Sequence, residues 1–270
     1  GPSIGGFLAV AFGYTIPFVA HAAVTLAATL PSVMLIKETA PVRGQAAAGG
    51  RGVAAQGSWG DILKVVFTFQ MLVFLTVQFS ANLSRGGNES GALNLYAVYA
   101  YNLGPEQLGL LNSVAAFSGL PVPIITGWLM DKFGRRSVIV PGFAFYASSS
   151  VLMALSAFNH LPFELFALGF VLVQFSQGTV GGTMQVLGTD MAPSFARGRF
   201  FAIWRMVAQL AATITPAIFA LLSEHLGYGT GFMYLAVCAY LVAFLVGWVL
   251  KDTRKVAEER EAAAKAANAG

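Results

Sequence analysis

Long apolar runs alternate with short polar connections along most of the chain. Most runs are about 20 residues or longer, which is the length at which an α-helix crosses a hydrocarbon layer of about 30 Å. Because the interior of a bilayer offers the backbone no hydrogen-bond partners, such runs are expected to be helical. The pattern predicts an all-α, polytopic membrane bundle of about seven full transmembrane helices and one partial helix. The runs lie near residues 1–12, 16–36, 62–101, 107–130, 137–158, 163–187, 199–223 and 230–250.

The connections between the runs are mostly tight and contain glycine or proline, with one exception. Residues 39–58, TAPVRGQAAAGGRGVAAQGS, are small, polar and rich in glycine, which predicts a flexible linker. The first run, GPSIGGFLAVAF, is too short to cross a bilayer and begins abruptly. We therefore expect the chain to be a fragment that needs earlier N-terminal helices of the same protein. The predicted segments are the end of an N-terminal helical half in 1–36, a linker in 37–61, a six-helix half in 62–250 and a tail in 251–270.

The composition agrees with lipid as the solvent. Of the 270 residues, 56% are hydrophobic and 10% are charged, whereas ordinary soluble domains carry roughly 25% charged residues. The single cysteine, Cys238, excludes a disulfide and a cysteine-based metal cluster within these residues. No Ser/His/Asp catalytic set and no His/Glu metal cluster occurs at a useful spacing. We therefore expect neither an enzyme nor a bound cofactor or metal.

The basic residues are concentrated on one side of the predicted membrane. The pI near 9.3 also fits a nucleic-acid-binding protein, so the position of the charge decides its meaning. Fifteen of the 16 lysines and arginines fall in the linker, in alternate loops or in the tail, which is the positive-inside pattern of an inner-membrane protein. We expect the linker and the C-terminus to be cytoplasmic and no nucleic acid to bind. The fifteen are Lys37, Arg43, Arg51, Lys64, Lys132, Arg135, Arg136, Arg197, Arg199, Arg205, Lys251, Arg254, Lys255, Arg260 and Lys265.

Arg85 is the exception, because it lies between two apolar runs. Gln78, Asn82, Arg85 and Glu89 are spaced by 4, 3 and 4 residues, which places them on one face of a helix. Ionisable groups inside a membrane cost about 2.5–3.5 kcal/mol each on insertion scales and usually face a wet cavity. The pattern predicts a substrate or proton pathway. In it, Arg85 attracts an anionic or carbonyl-bearing substrate or keeps Glu89 ionised.

The depth of Arg85 in the membrane has two interpretations. Gly86 and Gly87 are expected to weaken the helix before Glu89 and to allow a bend that turns both charged side chains inward. The alternative is that Arg85 lies at the outer surface. It follows from the 21 residues between Lys64 and Arg85, which already span a bilayer when helical.

Glutamines form further polar stripes in two of the later runs. Gln174 and Gln177 lie in the run 163–187, and Gln209 lies in the run 199–223. Rows of glutamine either bind substrate or hydrogen-bond helices to one another in a membrane. Both roles are open at this point, and we include the three glutamines in the predicted pathway.

Three stretches of the chain resemble signatures of the Major Facilitator Superfamily. GWLMDKFGRR, residues 127–136, resembles the family's loop after the second helix of a six-helix half, through Gly127, Asp131, Gly134, Arg135 and Arg136. Residues 189–205 resemble the loop before the family's eleventh helix. GPSIGG resembles the end of the antiporter motif of its fifth helix, through Gly1, Pro2, Gly5 and Gly6. Ordinary Gly/Pro packing, or residues left by cloning, are the alternatives for this last stretch.

The loop 127–136 also has a physical interpretation. Glycine at position 127 is expected to let helices approach closely, and Asp131 to face the positive end of a neighbouring helix. Arg135 and Arg136 can pair with acidic side chains or with anionic lipid headgroups. The resemblance implies that this loop gates the cytoplasmic side. The alternative is a plain basic loop that sets the topology.

The resemblance implies the second half of a Major Facilitator transporter, in which the first helix of each half lines a central cavity. It implies secondary active transport of a small-molecule substrate across the lipid bilayer, and protons are the expected coupling partner. The antiporter-like GPSIGG favours proton-coupled export, as in drug/proton antiporters. An uptake symporter or uniporter of the same fold is the alternative. A membrane-embedded scaffold or enzyme is the alternative from another class.

Overall fold

The computed structural model describes residues 2–35, 59–89, 91–193 and 197–250. Gly1, the predicted linker up to residue 58 and the predicted tail lie outside the described residues. The helices are, in chain order, α1 (Pro2–Phe12), α2 (Thr15–Leu35), α3 (Trp59–Val66), α4 (Phe69–Glu89), α5 (Ala92–Tyr101), α6 (Pro105–Gly119), α7 (Val122–Phe133), α8 (Arg136–Asn159), α9 (Phe163–Met191), α10 (Arg197–Leu226) and α11 (Tyr228–Phe244), followed by a π-helical turn (Leu245–Val249).

Five helical stretches among the described residues are long and apolar enough to cross a membrane. The first combines α6 and α7, which separate at Pro121 because proline has no backbone N–H to continue the helix. Two shorter apolar stretches, Pro2–Phe12 and Thr15–Thr29, precede them. The predicted all-α, polytopic fold is confirmed. The five stretches are Pro105–Phe133, Arg136–Asn159, Phe163–Met191, Arg197–Leu226 and Tyr228–Val249.

The polar run that contains Arg85 forms α4 and α5. α4 is not among the five spans, because polar side chains along it lower its hydropathy. α5 begins after Gly91, which has a φ of +81°, a conformation that favours glycine. The predicted weak point at Gly86 and Gly87 is wrong, because α4 is helical through both glycines.

Close packing explains Gly86 and Gly87. A Cβ atom at Gly86 would lie 2.8 Å from Cβ of Thr215 on α10, and one at Gly87 would lie 2.5 Å from Cδ1 of Leu235 on α11. Both glycines are buried. Small residues at such positions let membrane helices approach one another, so these two glycines bring α4 against α10 and α11.

An aromatic cluster holds α5 against the later helices. Tyr96, which is buried, lies with its ring centre 5.6 Å from that of Phe166 on α9 and 5.4 Å from that of Phe232 on α11. The hydroxyl of Tyr101 donates a hydrogen bond of 2.8 Å to the carbonyl of Leu161. Offset and edge-on ring pairs add to the burial of apolar area. The position of α5 therefore depends on contacts with residues 60 or more positions later in the sequence.

α1 packs against α6 through small residues. The Oγ atom of Ser3 lies 2.5 Å from Oγ of Ser113 and donates to the carbonyl of Gly109 at 3.3 Å. A Cβ atom at Gly6 would lie 2.5 Å from the backbone oxygen of Pro105. Backbone-to-backbone approach of this kind is possible only where side chains are absent or very small.

Candidate functional site

Two hydrogen bonds between side chains connect α4 to α9 in the apolar bundle. Nε of Arg85 donates to Oε1 of Gln177 at 3.1 Å, and Nδ2 of Asn88 donates to Oε1 of Gln174 at 2.6 Å. All four residues are half-buried. The partners are three residues apart on each helix, so one helical turn of α4 faces one turn of α9. We call these four residues the polar cluster.

Neighbouring helices fix the turn of α4 that precedes Arg85. The hydroxyl of Tyr146 on α8, which is fully buried, donates to the carbonyl of Ser84 at 2.9 Å. The hydroxyl of Thr215 on α10 donates to the carbonyl of Leu83 at 3.2 Å. These bonds hold the backbone from two sides, so the direction of the Arg85 side chain is set by packing rather than by α4 alone.

Gly181 on α9 lies next to the guanidinium group of Arg85. A Cβ atom at Gly181 would lie 3.7 Å from an Arg85 Nη atom, which is ordinary van der Waals contact. Gly181 follows Gln177 by one turn, so the guanidinium group lies along the α9 surface between the glutamine and the glycine. The polar cluster therefore consists of one planar cation and three amides, and hydrogen bonds between α4 and α9 hold them in place.

The other residues predicted for the pathway occupy different positions. Gln78 is only 3% exposed, and its Oε1 atom has no hydrogen-bond partner among the described residues. Asn82 donates to the carbonyl of Gln78 at 2.8 Å, a bond within α4. Gln209 is exposed on α10. Glu89 is the last residue of α4, and its side chain lies outside the described part of the structure.

Asn88 and Asp190 are two polar residues in these contacts that the sequence pattern did not predict. Asn88 follows Arg85 by three residues, which is the same helix face, so the spacing contained the signal. Asp190 is an acidic residue in the last turn of an apolar helix, next to loops that are rich in arginine. An isolated acid at that position is a signal for a cationic partner, although the sequence does not identify which arginine it is.

The loop 127–136 has one glycine whose backbone geometry requires it. Gly134 has a φ of +86°, where a side chain would be strained. Gly127 behaves differently from the prediction, because a Cβ atom there would meet nothing within 4 Å among the described residues. Close approach of helices therefore does not explain Gly127 here. Asp131 and Arg136 are exposed.

Arg135 forms an ion pair with Asp190 at the end of α9. Nε of Arg135 lies 2.7 Å from Oδ2 of Asp190, although the N–H direction does not meet hydrogen-bond geometry. The side chains are 27% and 12% exposed, so water screens the pair only partly. The pair connects the loop after α7 to the end of α9, which are separate in sequence.

We predict that Arg135→Gln and Asp190→Asn each destabilise the protein, whereas Arg136→Gln does not. Removing one partner leaves a partly buried charge unpaired, at a cost of about 1–3 kcal/mol. The exchange of both residues, Arg135→Asp with Asp190→Arg, is expected to recover part of the loss. Thermal unfolding in lipid nanodiscs would measure the effect. Equal losses for Arg135→Gln and Arg136→Gln would contradict the prediction.

The antiporter-like stretch lies at the start of α1. Gly1 is outside the described residues, and Pro2 begins the helix. Of the two internal glycines, Gly6 contacts the backbone of α6, whereas a Cβ atom at Gly5 would meet nothing within 4 Å. The two glycines are therefore not equivalent, and only Gly6 has a packing role among the described residues.

The described residues contain no group of three or more His, Cys, Asp or Glu side chains that could hold a metal ion.

The fold and the polar cluster define a polytopic helical membrane protein with a polar site inside the bundle. The sequence profile of the Major Facilitator Superfamily matches residues 79–269. The chain belongs to this family, which is a class of transporters and not of enzymes.

Individual relatives of the chain are also named as transport proteins. The chain is 25% identical over 244 residues to the multi-drug resistance efflux pump PmrA of Streptococcus pneumoniae, a match that covers 88% of this chain and 57% of the relative. It is 27% identical over 169 residues to the probable metabolite transport protein CsbC of Bacillus subtilis, covering 60% and 35%. It is 33% identical over 144 residues to the inner membrane metabolite transport protein YhjE of Escherichia coli, covering 50% and 31%. The chain thus spans between about a third and just over half of these relatives.

Proposed function

We propose that the protein is part of a secondary active transporter that exports a small organic solute by proton coupling. The polar cluster carries the proposal, because it places Arg85 and three amides at the contact between α4 and the apolar helix α9. An arginine in a membrane helix costs about 2.5–3.5 kcal/mol on insertion scales, so its retention is expected where it serves a site. Rocking of two helical halves about such a site is the transport cycle that this architecture supports.

The chemistry of the cluster favours a substrate that carries a carboxylate or carbonyl group. A guanidinium group offers planar N–H donors that match two oxygen atoms at once. Gln177 accepts a hydrogen bond from Arg85 and so orders the guanidinium before a substrate arrives. Ordering a long side chain in advance lowers the entropic cost of binding. The amides of Asn88 and Gln174 supply further donors and acceptors next to it.

We assign proton coupling to Glu89, which follows Arg85 by four residues on α4. A carboxyl group that alternates between a dry environment and contact with an arginine takes up and releases a proton. Helix rocking would supply that alternation. The assignment rests on the place of Glu89 in the sequence.

Export is favoured by the similarity to a relative named as an efflux pump, which covers most of the chain. Transport of a metabolite instead of a drug-like compound is the second candidate. It is favoured by the names of the Bacillus and Escherichia relatives. Both candidates use the same site and differ in the substrate.

Proton flux tests this function. The full-length protein would be reconstituted in liposomes that contain the pH-sensitive dye pyranine, and a panel of small organic carboxylates would be added. At least one compound is expected to cause a saturable change of internal pH. Glu89→Gln is expected to abolish the change while binding of that compound persists. Substrate flux without any proton movement in the unmodified protein would contradict proton coupling.

We also propose that the linker and the tail are cytoplasmic, as the fifteen basic residues indicate. In a Cys238→Ala background, Gly50→Cys is expected to resist a membrane-impermeant maleimide in intact cells and to react after lysis. His160→Cys, at the exposed start of the α8–α9 connection, is the control that should react from outside. Labelling of residue 50 in intact cells would overturn this topology.

A further inference from the structure

A cavity lies at the opposite end of the bundle from the loop 127–136. It has a volume of about 500 Å³, within the usual size range of small-molecule sites. It lies between α5, α10 and α11, and the polar cluster residues are not part of its wall. The residues that matter for its chemistry are Tyr99, Phe219, Ser223, Glu224 and Tyr228.

The cavity wall combines aromatic rings with one carboxylate. The ring centres of Tyr99 and Tyr228 are 5.3 Å apart, and those of Phe219 and Tyr228 are 6.4 Å apart. Glu224 is exposed and lines the same cavity. Aromatic faces attract cations, most strongly where water is partly excluded, and a carboxylate supplies the opposite charge. Ser223, at the same wall, has a buried Oγ atom with no hydrogen-bond partner among the described residues.

The end of α10 and the acidic residues on this side also favour a cationic ligand. Glu224 lies in the last turn of α10, where free backbone carbonyls carry partial negative charge. The helix ends on this side, within the described residues, carry Glu106, Glu164 and Glu224, no lysine or arginine, and the histidines His160 and His225. An excess of carboxylates on one side of the protein raises the local concentration of cations there.

The cavity also continues a stripe on α10. Gln209, Thr213, Pro216, Ala220 and Glu224 are spaced by 4, 3, 4 and 4 residues, which is one helix face. Pro216 and Ala220 line the cavity. The exposed polar groups Gln209 and Thr213 therefore lie on the same face as Glu224, further from the outer end.

We propose that this cavity is a binding site for an organic cation with an aromatic or bulky apolar part, held by Glu224 and the rings of Tyr99 and Tyr228. The inference goes beyond the transport proposal, because the site has the opposite charge preference from Arg85 and its own residues. Its ligand approaches from the outer side of the membrane. The apolar part packs against Phe219 and the cationic part lies next to the carboxylate.

The test is binding of benzyltrimethylammonium to the full-length protein in nanodiscs of zwitterionic lipid, measured by titration calorimetry. Saturable binding is expected. Glu224→Gln should weaken it by about tenfold, the effect of losing a charge-assisted contact. Tyr99→Leu should weaken it by about threefold through the lost ring face. Tyr99 is 71% exposed, so Tyr99→Leu is expected to fold even if Glu224→Gln does not.

The matched control is Glu164→Gln, which removes the same charge from the same side of the membrane but outside the cavity. It should leave the affinity unchanged. Equal weakening by Glu164→Gln would overturn the site, because only the general surface charge would then matter. Equal binding of the neutral analogue neopentylbenzene would also overturn it. Absence of saturable binding would also overturn it. None of these outcomes requires transport, so the transport proposal is tested separately.

Discussion

Arg85→Lys is expected to reduce substrate-driven proton flux by about tenfold or more, the effect of losing one hydrogen bond to a charged group. Lysine keeps the charge but is a compact ammonium group. It cannot donate to Gln177 and at the same time present a planar pair of N–H groups to a carboxylate. The measurement is the pyranine assay in proteoliposomes at matched protein content.

A double-mutant comparison connects this effect to the polar cluster. Gln177→Ala is expected to lower flux in the same direction, because Nε of Arg85 loses its acceptor at 3.1 Å. The double variant should be no worse than Arg85→Lys alone, since contacting residues are not additive. Arg205→Lys, at an exposed arginine of α10, is the matched control and should transport normally. Normal flux in Arg85→Lys would favour the alternative position of Arg85 at the outer surface.

Gly6→Ala is expected to separate α1 from α6, whereas Gly5→Ala is not. The added Cβ at Gly6 would lie 2.5 Å from the backbone oxygen of Pro105, and backbone cannot rotate away as a side chain can. Overpacking of this kind costs about 1–3 kcal/mol. At Gly5 the added Cβ meets nothing within 4 Å, so the adjacent glycine provides the control.

Cross-linking would measure this separation directly. Ser3→Cys with Ser113→Cys, in a Cys238→Ala background, places two thiols where hydroxyls are now 2.5 Å apart. A short bifunctional reagent should join them efficiently, less efficiently with Gly6→Ala and equally well with Gly5→Ala. Equal cross-linking in all three proteins would show that α1 and α6 do not depend on this glycine. That outcome would leave the antiporter-like stretch without a packing role.

The sequence was most informative where the physical cause is local. Apolar length and the lack of hydrogen-bond partners in lipid determine helices, so the all-α, polytopic fold follows from the pattern of residues. The resemblance of residues 127–136 was likewise sufficient for the family, which the match over 79–269 confirms. Helical spacing also placed Asn82 and Arg85 on one face of α4.

Contacts between helices could not be predicted from the sequence, because they depend on which helix faces meet in the folded protein. Gly86 was expected to bend α4, but its role is contact with Thr215, more than 120 residues later. Gly127 was expected at a close contact, yet a Cβ atom there would meet nothing within 4 Å among the described residues, whereas one at Gly6 would meet the backbone of α6.

The packing of helices also determines the partners of the charged groups. Spacing along one helix shows that Arg85 and Asn88 share a face, but not that Gln177 and Gln174 lie opposite them. Nor does it pair Arg135 with Asp190, since that pair joins a loop to the end of a later helix. The sequence by itself determined the helices, the family and the polar character of α4. Only the tertiary structure decided the partners, because packing in three dimensions brings together side chains that no local periodicity relates.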